Sequence, residues 1–339
     1  MKCAVIGAGS WGTALAQCLA DNGNETLLYA RSAETVRSIN ESHINGRYFP
    51  NVVLNKTVKA TDDVEAAAKG ADAVVLAVPS KSIDDALAVL KPYLSSETYV
   101  INAAKGFDWQ TNRPLTETIE ESLGEGFRDR IVSLLGPSHA EEVVLRQITT
   151  ICSVAKCESA ARAVQRLFSN GYFRLYVLLD VIGAEYSAAM KNAIAIASGI
   201  AVGCGYGDNA KAALVTRGLR EIVRYGLEKG GKKDTFFGLA GVGDLIVTCF
   251  SPHSRNYQAG LKIGAYDDAA RFLAENDKTV EGINACKVIY EDTRALGLDM
   301  PIIEELYKVL FLGEKPSAGI AILMNRPLKK EELVSEIRA

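Results

Sequence analysis

The segment Gly7-Ala-Gly9-Ser10-Trp11-Gly12 follows the apolar run Cys3-Ala-Val-Ile6 and opens into Thr13-Ala-Leu-Ala. A G-x-G-x-x-G spacing between a strand pattern and a helix pattern constrains the chain to a βαβ unit that holds a dinucleotide. Gly7 serves the tight turn, Gly9 the approach of backbone to a pyrophosphate, and Gly12 close helix–strand packing. The helix N-terminus faces the phosphate charge. The second strand of the unit ends in Arg31-Ser32. An acidic residue at that place accepts from ribose hydroxyls, whereas an arginine pairs with a 2′-phosphate. Arg31 thus favours NADPH, with NADH admitted; the plainer alternative is a solvated surface arginine and a loose choice of cofactor.

Around this unit, strand patterns at residues 2–6, 26–30, 73–78, 99–102, 131–135 and 148–153 alternate with helix patterns at 13–21, 63–69, 82–90 and 114–123. Such alternation predicts a parallel sheet covered on both faces. Strand runs such as A-V-V-L-A-V lack polar alternation, as two buried faces require. After residues 173–179 the strand signals fade. Helical patterns follow at 184–200, 211–229, 256–263, 281–296 and 302–311. The expected architecture is α/β: a Rossmann-type doubly wound sheet over residues 1–180, plus an all-helical domain over 181–339. A length of 339 residues suits two domains.

A formal net charge of −3 gives no electrostatic match to nucleic acid. The most apolar stretch, residues 193–202, falls short of a bilayer span, so no membrane insertion is expected. Seven scattered cysteines without a C-x-x-C pair suggest reduced thiols in a cytoplasmic protein. The three histidines, His43, His139 and His253, show no metal-binding spacing, and no metal is expected. His139 adjoins Ser138, but neighbours in sequence do not form a catalytic dyad. A homodimer is the default expectation from the commonest symmetry.

Four further segments carry unusual residue combinations. Asn102-Ala-Ala-Lys105-Gly106 and Gly136-Pro-Ser138-His-Ala140 each stand just past a strand, where open parallel sheets bind ligands. Met190-Lys191-Asn192 interrupts an apolar helix. Gly238-Leu-Ala-Gly241-Val-Gly243-Asp244 precedes Ser254-Arg255-Asn256. A lysine among Ala, Ile and Met is disfavoured in its charged form, and one drawn down toward pKa ~7–8 is a competent general acid and base. The bland alternative is a lysine paired with Glu185 or Asp244 for structure. Asp244 is suited to orienting the amine, or else to capping a helix. Ser254-Arg255-Asn256 offers a hydroxyl, a guanidinium and an amide to a phosphate; the plainer alternative is a serine N-cap with exposed neighbours.

With G-A-G-S-W-G-T-A-L-A, these segments closely resemble the bacterial NAD(P)-dependent glycerol-3-phosphate dehydrogenases. The likeness runs from residue 3 to about residue 325 and includes G-D-N-A-K-A-A-L-V-T-R-G-L at 207–219 and T-F-F-G-L-A-G-V-G-D-L at 235–245. The resemblance implies reversible reduction of dihydroxyacetone phosphate to sn-glycerol 3-phosphate, a phosphorylated small molecule used in phospholipid synthesis. It implies Lys191 as the catalytic lysine, and Lys105, Gly136, Ser138, Lys191, Asp244, Ser254, Arg255 and Asn256 as substrate contacts. Cofactor contacts would fall on Ser10, Trp11, Arg31, Lys105, Ala140, Arg255, Thr279 and Glu281. The expected substrate site is a cleft between the two domains. The family often reads G-G-A-L-K-N before its lysine, where this chain has Ser187-Ala-Ala-Met190-Lys191-Asn192. The rival reading is another two-domain hydroxyacid or ketopantoate-type dehydrogenase. Those often carry an asparagine one helical turn after the lysine, where this chain has Ala195. A nucleotide sensor without turnover is a third class, disfavoured by the presence of Lys191, Asp244 and Arg255 together.

Overall fold

The computed structural model describes residues 1–108, 111–328 and 330–331. Residues 332–339 of the expected helical domain lie outside them. The chain divides into two compact units, Met1–Val181 and Ile182–Ala339.

The first unit runs β1 (Lys2–Ile6), α1 (Ser10–Asp21), β2 (Glu25–Tyr29), α2 (Ala33–Ser42), β3 (Val58–Thr61), α3 (Val64–Ala68), β4 (Ala73–Leu76) and α4 (Ile83–Leu90). It continues with β5 (Tyr99–Asn102), α5 (Leu115–Leu123), β6 (Ile131–Leu135), α6 (Ala140–Val143), β7 (Thr149–Val154), α7 (Glu158–Phe168) and β8 (Phe173–Leu178). The sheet order is β3-β2-β1-β4-β5-β6-β7-β8. The chain therefore reverses its direction of winding between β1 and β4, which defines a doubly wound sheet and its ligand-binding crevice. Side chains alternate between the faces. Val5, Leu15, Leu19, Val132 and Phe168 fill one core, and Ile6, Leu76, Leu87, Val100 and Ile119 fill the other.

The strand–helix alternation predicts a parallel sheet, but the sheet is not parallel throughout. β7 runs antiparallel to β6, and β8 is parallel to β7. The link from β6 to β7 carries only the single turn α6, without the full crossover helix that usually returns a chain for parallel pairing. Its return is held by Arg146, which takes a left-handed φ of 61°. The Arg146 guanidinium grips Asp21 at the end of α1 through Nε at 2.8 Å and Nη2 at 3.1 Å. Tyr172 and Asn55 donate to the same carboxylate at 2.8 and 2.9 Å.

The second unit is helical: α8 (Val181–Gly203), α9 (Asp208–Glu228), α10 (Lys233–Phe236), a turn of π-helix at Leu239–Gly243 and α11 (Asp244–Phe250). There follow α12 (Arg255–Tyr266), α13 (Ala269–Glu275), α14 (Glu281–Ala295), α15 (Pro301–Phe311) and α16 (Pro316–Met324). Met190, Ala193, Ile194, Ala195 and Ile196 are fully buried, so α8 is enclosed on all sides rather than amphipathic. Two glycines bring other helices against it. A Cβ on Gly260 of α12 would lie 2.1 Å from Ile196 O, and one on Gly282 of α14 would lie 2.4 Å from Asn192 O. These close approaches bring α12 and α14 beside the middle of α8, where Lys191 stands.

Candidate active site

The glycine-rich turn leaves β1 at Gly7, whose φ of +113° belongs to the region glycine favours. A Cβ on Gly12 would stand 1.9 Å from Gly7 O, so α1 and β1 meet too closely for any side chain there. A Cβ on Gly9, by contrast, meets nothing within 4 Å. Gly9 provides no side-chain cap for α1, and no acidic residue lies in the first turn. The N-terminal amides of α1, beginning at Ser10 and Trp11, thus keep their pull on an anion. Trp11 Nε1 is buried without a hydrogen-bond partner among the described residues. The turn is braced by Asn45, which donates to Ala8 O at 3.1 Å and Thr13 Oγ1 at 2.8 Å. Open backbone, unanswered donors and a bare helix start fit a pyrophosphate. At the end of β2, Arg31 is exposed, while the Ser32 hydroxyl caps α2 by accepting from Thr35 N at 3.3 Å. Ser32 therefore has a local structural task that the cofactor reading did not foresee.

The same unit draws together three further expected positions. Lys105, beyond β5, donates to Gly136 O at 3.0 Å, and Ser138 Oγ donates to the same oxygen at 3.1 Å. Gly136 follows β6 at φ +144°, and a Cβ there would press within 2.9 Å of Ile151 Cα. Ala140 is buried as the first residue of α6.

In the helical unit, Lys191 projects from α8 onto α11. Its Nζ lies 2.6 Å from Asp244 Oδ1, with both side chains buried. It also donates to Thr248 Oγ1 at 2.9 Å, and Thr248 in turn donates to Asp244 O at 2.6 Å. The carboxylate in contact favours the ammonium that burial alone disfavours, so desolvation is opposed by a partner. The pair with Asp244, one of the two plainer alternatives, is present. Asp244 opens α11 directly after the π-helical turn, which delivers its carboxylate to α8 instead of to a helix cap. A Cβ on Gly241 would meet Phe236 O at 2.1 Å; tight packing accounts for that glycine. Thr248 escaped the sequence reading, although its place one helical turn after Asp244 puts both on one face of α11.

A second polar line passes beside the lysine. Asn256 Nδ2 donates to Asn192 Oδ1 at 2.9 Å, and Asn256 Oδ1 accepts from Gly282 N at 2.9 Å. Asn256 thus joins α8, α12 and the start of α14, one residue past Glu281. The Ser254 hydroxyl caps α12 by accepting from Tyr257 N at 3.2 Å. Of the expected phosphate triplet, Ser254 and Asn256 are buried and bonded within the protein, and Arg255 alone is exposed. Glu281 and Thr279 are half-buried at the start of α14 and just before it. Among the described residues no three His, Cys, Asp or Glu side chains group as metal ligands. No single described helix is long and apolar enough to cross a membrane; the bent pair that comes nearest, residues 233–250 with 255–266, contains Asp244 and Thr248.

A doubly wound sheet with an anion-ready glycine turn, joined to a helical unit holding a buried lysine–carboxylate pair, defines a two-domain nicotinamide-dependent dehydrogenase. Residues 2–161 match the family model for the NAD-dependent glycerol-3-phosphate dehydrogenase N-terminus, and residues 180–321 that for its C-terminus. The chain belongs to this family. It is 46% identical over 325 residues to a glycerol-3-phosphate dehydrogenase (NAD(P)+) of Bacillus velezensis, covering 96% of this chain and 94% of that one. It is 43% identical over 331 residues to the Listeria monocytogenes enzyme of the same name, covering 98% of each. The crystal structure of glycerol-3-phosphate dehydrogenase from Coxiella burnetii superposes with a TM-score of 0.87 at 31% identity, covering 96% of this chain and 98% of that one.

Proposed function

We propose that the protein reduces dihydroxyacetone phosphate to sn-glycerol 3-phosphate, and runs the reverse reaction, with Lys191 as general acid and base. The observation that carries the mechanism is the buried Lys191–Asp244 pair, 2.6 Å across. Reduction adds a hydride to the carbonyl carbon and a proton to its oxygen. The nicotinamide dinucleotide, when bound, supplies the hydride. The Lys191 ammonium polarises the ketone and gives up the proton to the developing alkoxide. Asp244 and Thr248 orient that amine, and Asp244 favours its recharging after transfer. Oxidation of the alcohol retraces these steps.

In this reading the first unit holds the dinucleotide at Gly7, Gly9, Ser10, Trp11 and Gly12. The helical unit supplies the chemistry. Arg255 and Lys105 meet the phosphate end, with Ser138, Ser254 and Asn256 shaping the surroundings. Gly136, Ala140, Ser32, Thr279 and Glu281 complete the expected contacts. Arg31, exposed at the end of β2, pairs with a 2′-phosphate and makes NADPH the favoured cofactor. A homodimer, and a cytoplasmic role in supplying the glycerol phosphate backbone of phospholipids, belong to the same proposal. The free state of all seven cysteines accords with a reducing compartment.

The test is initial-rate kinetics with NADPH and NADH, each against dihydroxyacetone phosphate and ketopantoate. The expected result is turnover of the phosphorylated ketone, faster at limiting NADPH than at limiting NADH. Turnover of ketopantoate alone overturns the substrate assignment.

A further inference from the structure

Lys211 sits in the first turn of α9, buried, with its Nζ 4.3 Å from the centroid of the Phe250 ring and 4.4 Å from that of Tyr257. It donates to the Tyr257 hydroxyl at 3.3 Å and makes no ion pair among the described residues. This is a costly place for a charge. Burial penalises an unpaired ammonium, and the first turn of a helix repels cations. Two aromatic faces offset part of that cost. A methionine or leucine would pack the same space without it, so packing alone does not account for a lysine.

The two rings belong to the two sides of one bend. Phe250 ends α11, the helix of Asp244 and Thr248. Tyr257 lies in the first turn of α12, and its amide is the one capped by Ser254. Residues 251–254 turn between them, and Arg255 and Asn256 follow at once. A single ammonium therefore bridges the exit of α11, whose Asp244 and Thr248 contact Lys191, to the segment that carries Arg255.

We propose that Lys211 is a positioning residue for phosphate recognition. Its caged ammonium pins the bend at 251–254, presents Arg255 to the phosphate end of the substrate, and adds a positive charge behind it. The assignment rests on the reading that Arg255 meets that phosphate.

The experiment compares wild type, Lys211→Met and Lys211→Arg. It measures kcat and KM for dihydroxyacetone phosphate, and the competitive inhibition constant of inorganic phosphate. For Lys211→Met, both KM and the phosphate inhibition constant rise roughly tenfold while kcat stays within about threefold. Lys211→Arg, which keeps charge and ring contacts, recovers most of the loss. Should Lys211→Met not fold, Tyr257→Phe removes the hydroxyl anchor and raises the same two constants by a smaller factor. Unchanged phosphate inhibition, or a fall in kcat with KM intact, overturns the proposal. Wild type inert on dihydroxyacetone phosphate that still binds inorganic phosphate about tenfold more tightly than Lys211→Met, read by titration calorimetry, defeats the named substrate and leaves Lys211 in its role.

Discussion

Lys191 Nζ and Asp244 Oδ1 meet at 2.6 Å, in the interior of the helical unit, across the contact between α8 and α11. Neither charge stands well alone there. Removing one partner of a buried pair leaves the other uncompensated, at about 3–5 kcal/mol. Asp244→Ala is therefore expected to lower stability by that order, and to impair turnover by loosening the amine. Denaturant unfolding alongside kcat measurement checks both. Stability within about 1 kcal/mol of wild type would mean that the charge finds another partner on relaxation.

Asn256 ties Asn192 to the backbone of Gly282. Asn256→Ala strands a buried N–H at the start of α14 and a carbonyl oxygen on Asn192. The expected cost is about 1–3 kcal/mol. The catalytic consequence is a raised KM with a lowered kcat, because α12 loses its tie to Asn192, the residue next to Lys191 on α8. Steady-state kinetics and thermal melts on the same preparation test this.

Arg31 makes the cofactor prediction. Arg31→Ala should raise KM for NADPH roughly tenfold, by loss of a charge-assisted contact to the 2′-phosphate, and leave KM for NADH nearly unchanged. Equal effects on the two cofactors would remove Arg31 from discrimination.

Much of this arrangement is legible in the sequence, and the reasons differ by element. β1, β5 and β6 lie where their mainly apolar runs put them, because strands buried on both faces show little polar alternation to misread. The fingerprint from Gly7 to Gly12 is legible because its spacing is dictated by backbone contacts, visible in the 1.9 Å conflict a Cβ on Gly12 would create. β3, with the sequence V-K-A-T, is a short half-polar edge strand, and α2 has a single buried position, Ile39, so neither carries a strong pattern. The antiparallel turn into β7 depends on Arg146 reaching Asp21 across 125 residues of sequence, which no local signal encodes. In the helical unit, Lys191 stands out as a charge in an apolar helix. Its partner Thr248 does not, since a threonine one turn after an aspartate is common in any helix.

The clip between Asp21 and Arg146 also sets an acid limit. Burial of Asp21 by itself raises its pKa, but hydrogen bonds from Arg146, Asn55 and Tyr172 outweigh that and hold the carboxyl below its usual range. A depressed folded-state pKa contributes stability that is present above the unfolded value, about 3.9, and is lost as pH falls through the folded value. Asp21→Asn should therefore lower Tm at neutral pH and flatten the fall in Tm below about pH 4. A parallel pair of acid-melting curves would show that another carboxylate governs this limb.

In the proposed reaction the Lys191 amine handles the proton of the reduced ketone. The most direct measurement is kcat for dihydroxyacetone phosphate in Lys191→Ala, with NADPH affinity read by nicotinamide fluorescence on the same sample. The expected result is a fall in kcat of roughly 10²–10⁴ with cofactor affinity within about twofold of wild type. Turnover close to wild type, with the cofactor bound as before, contradicts it.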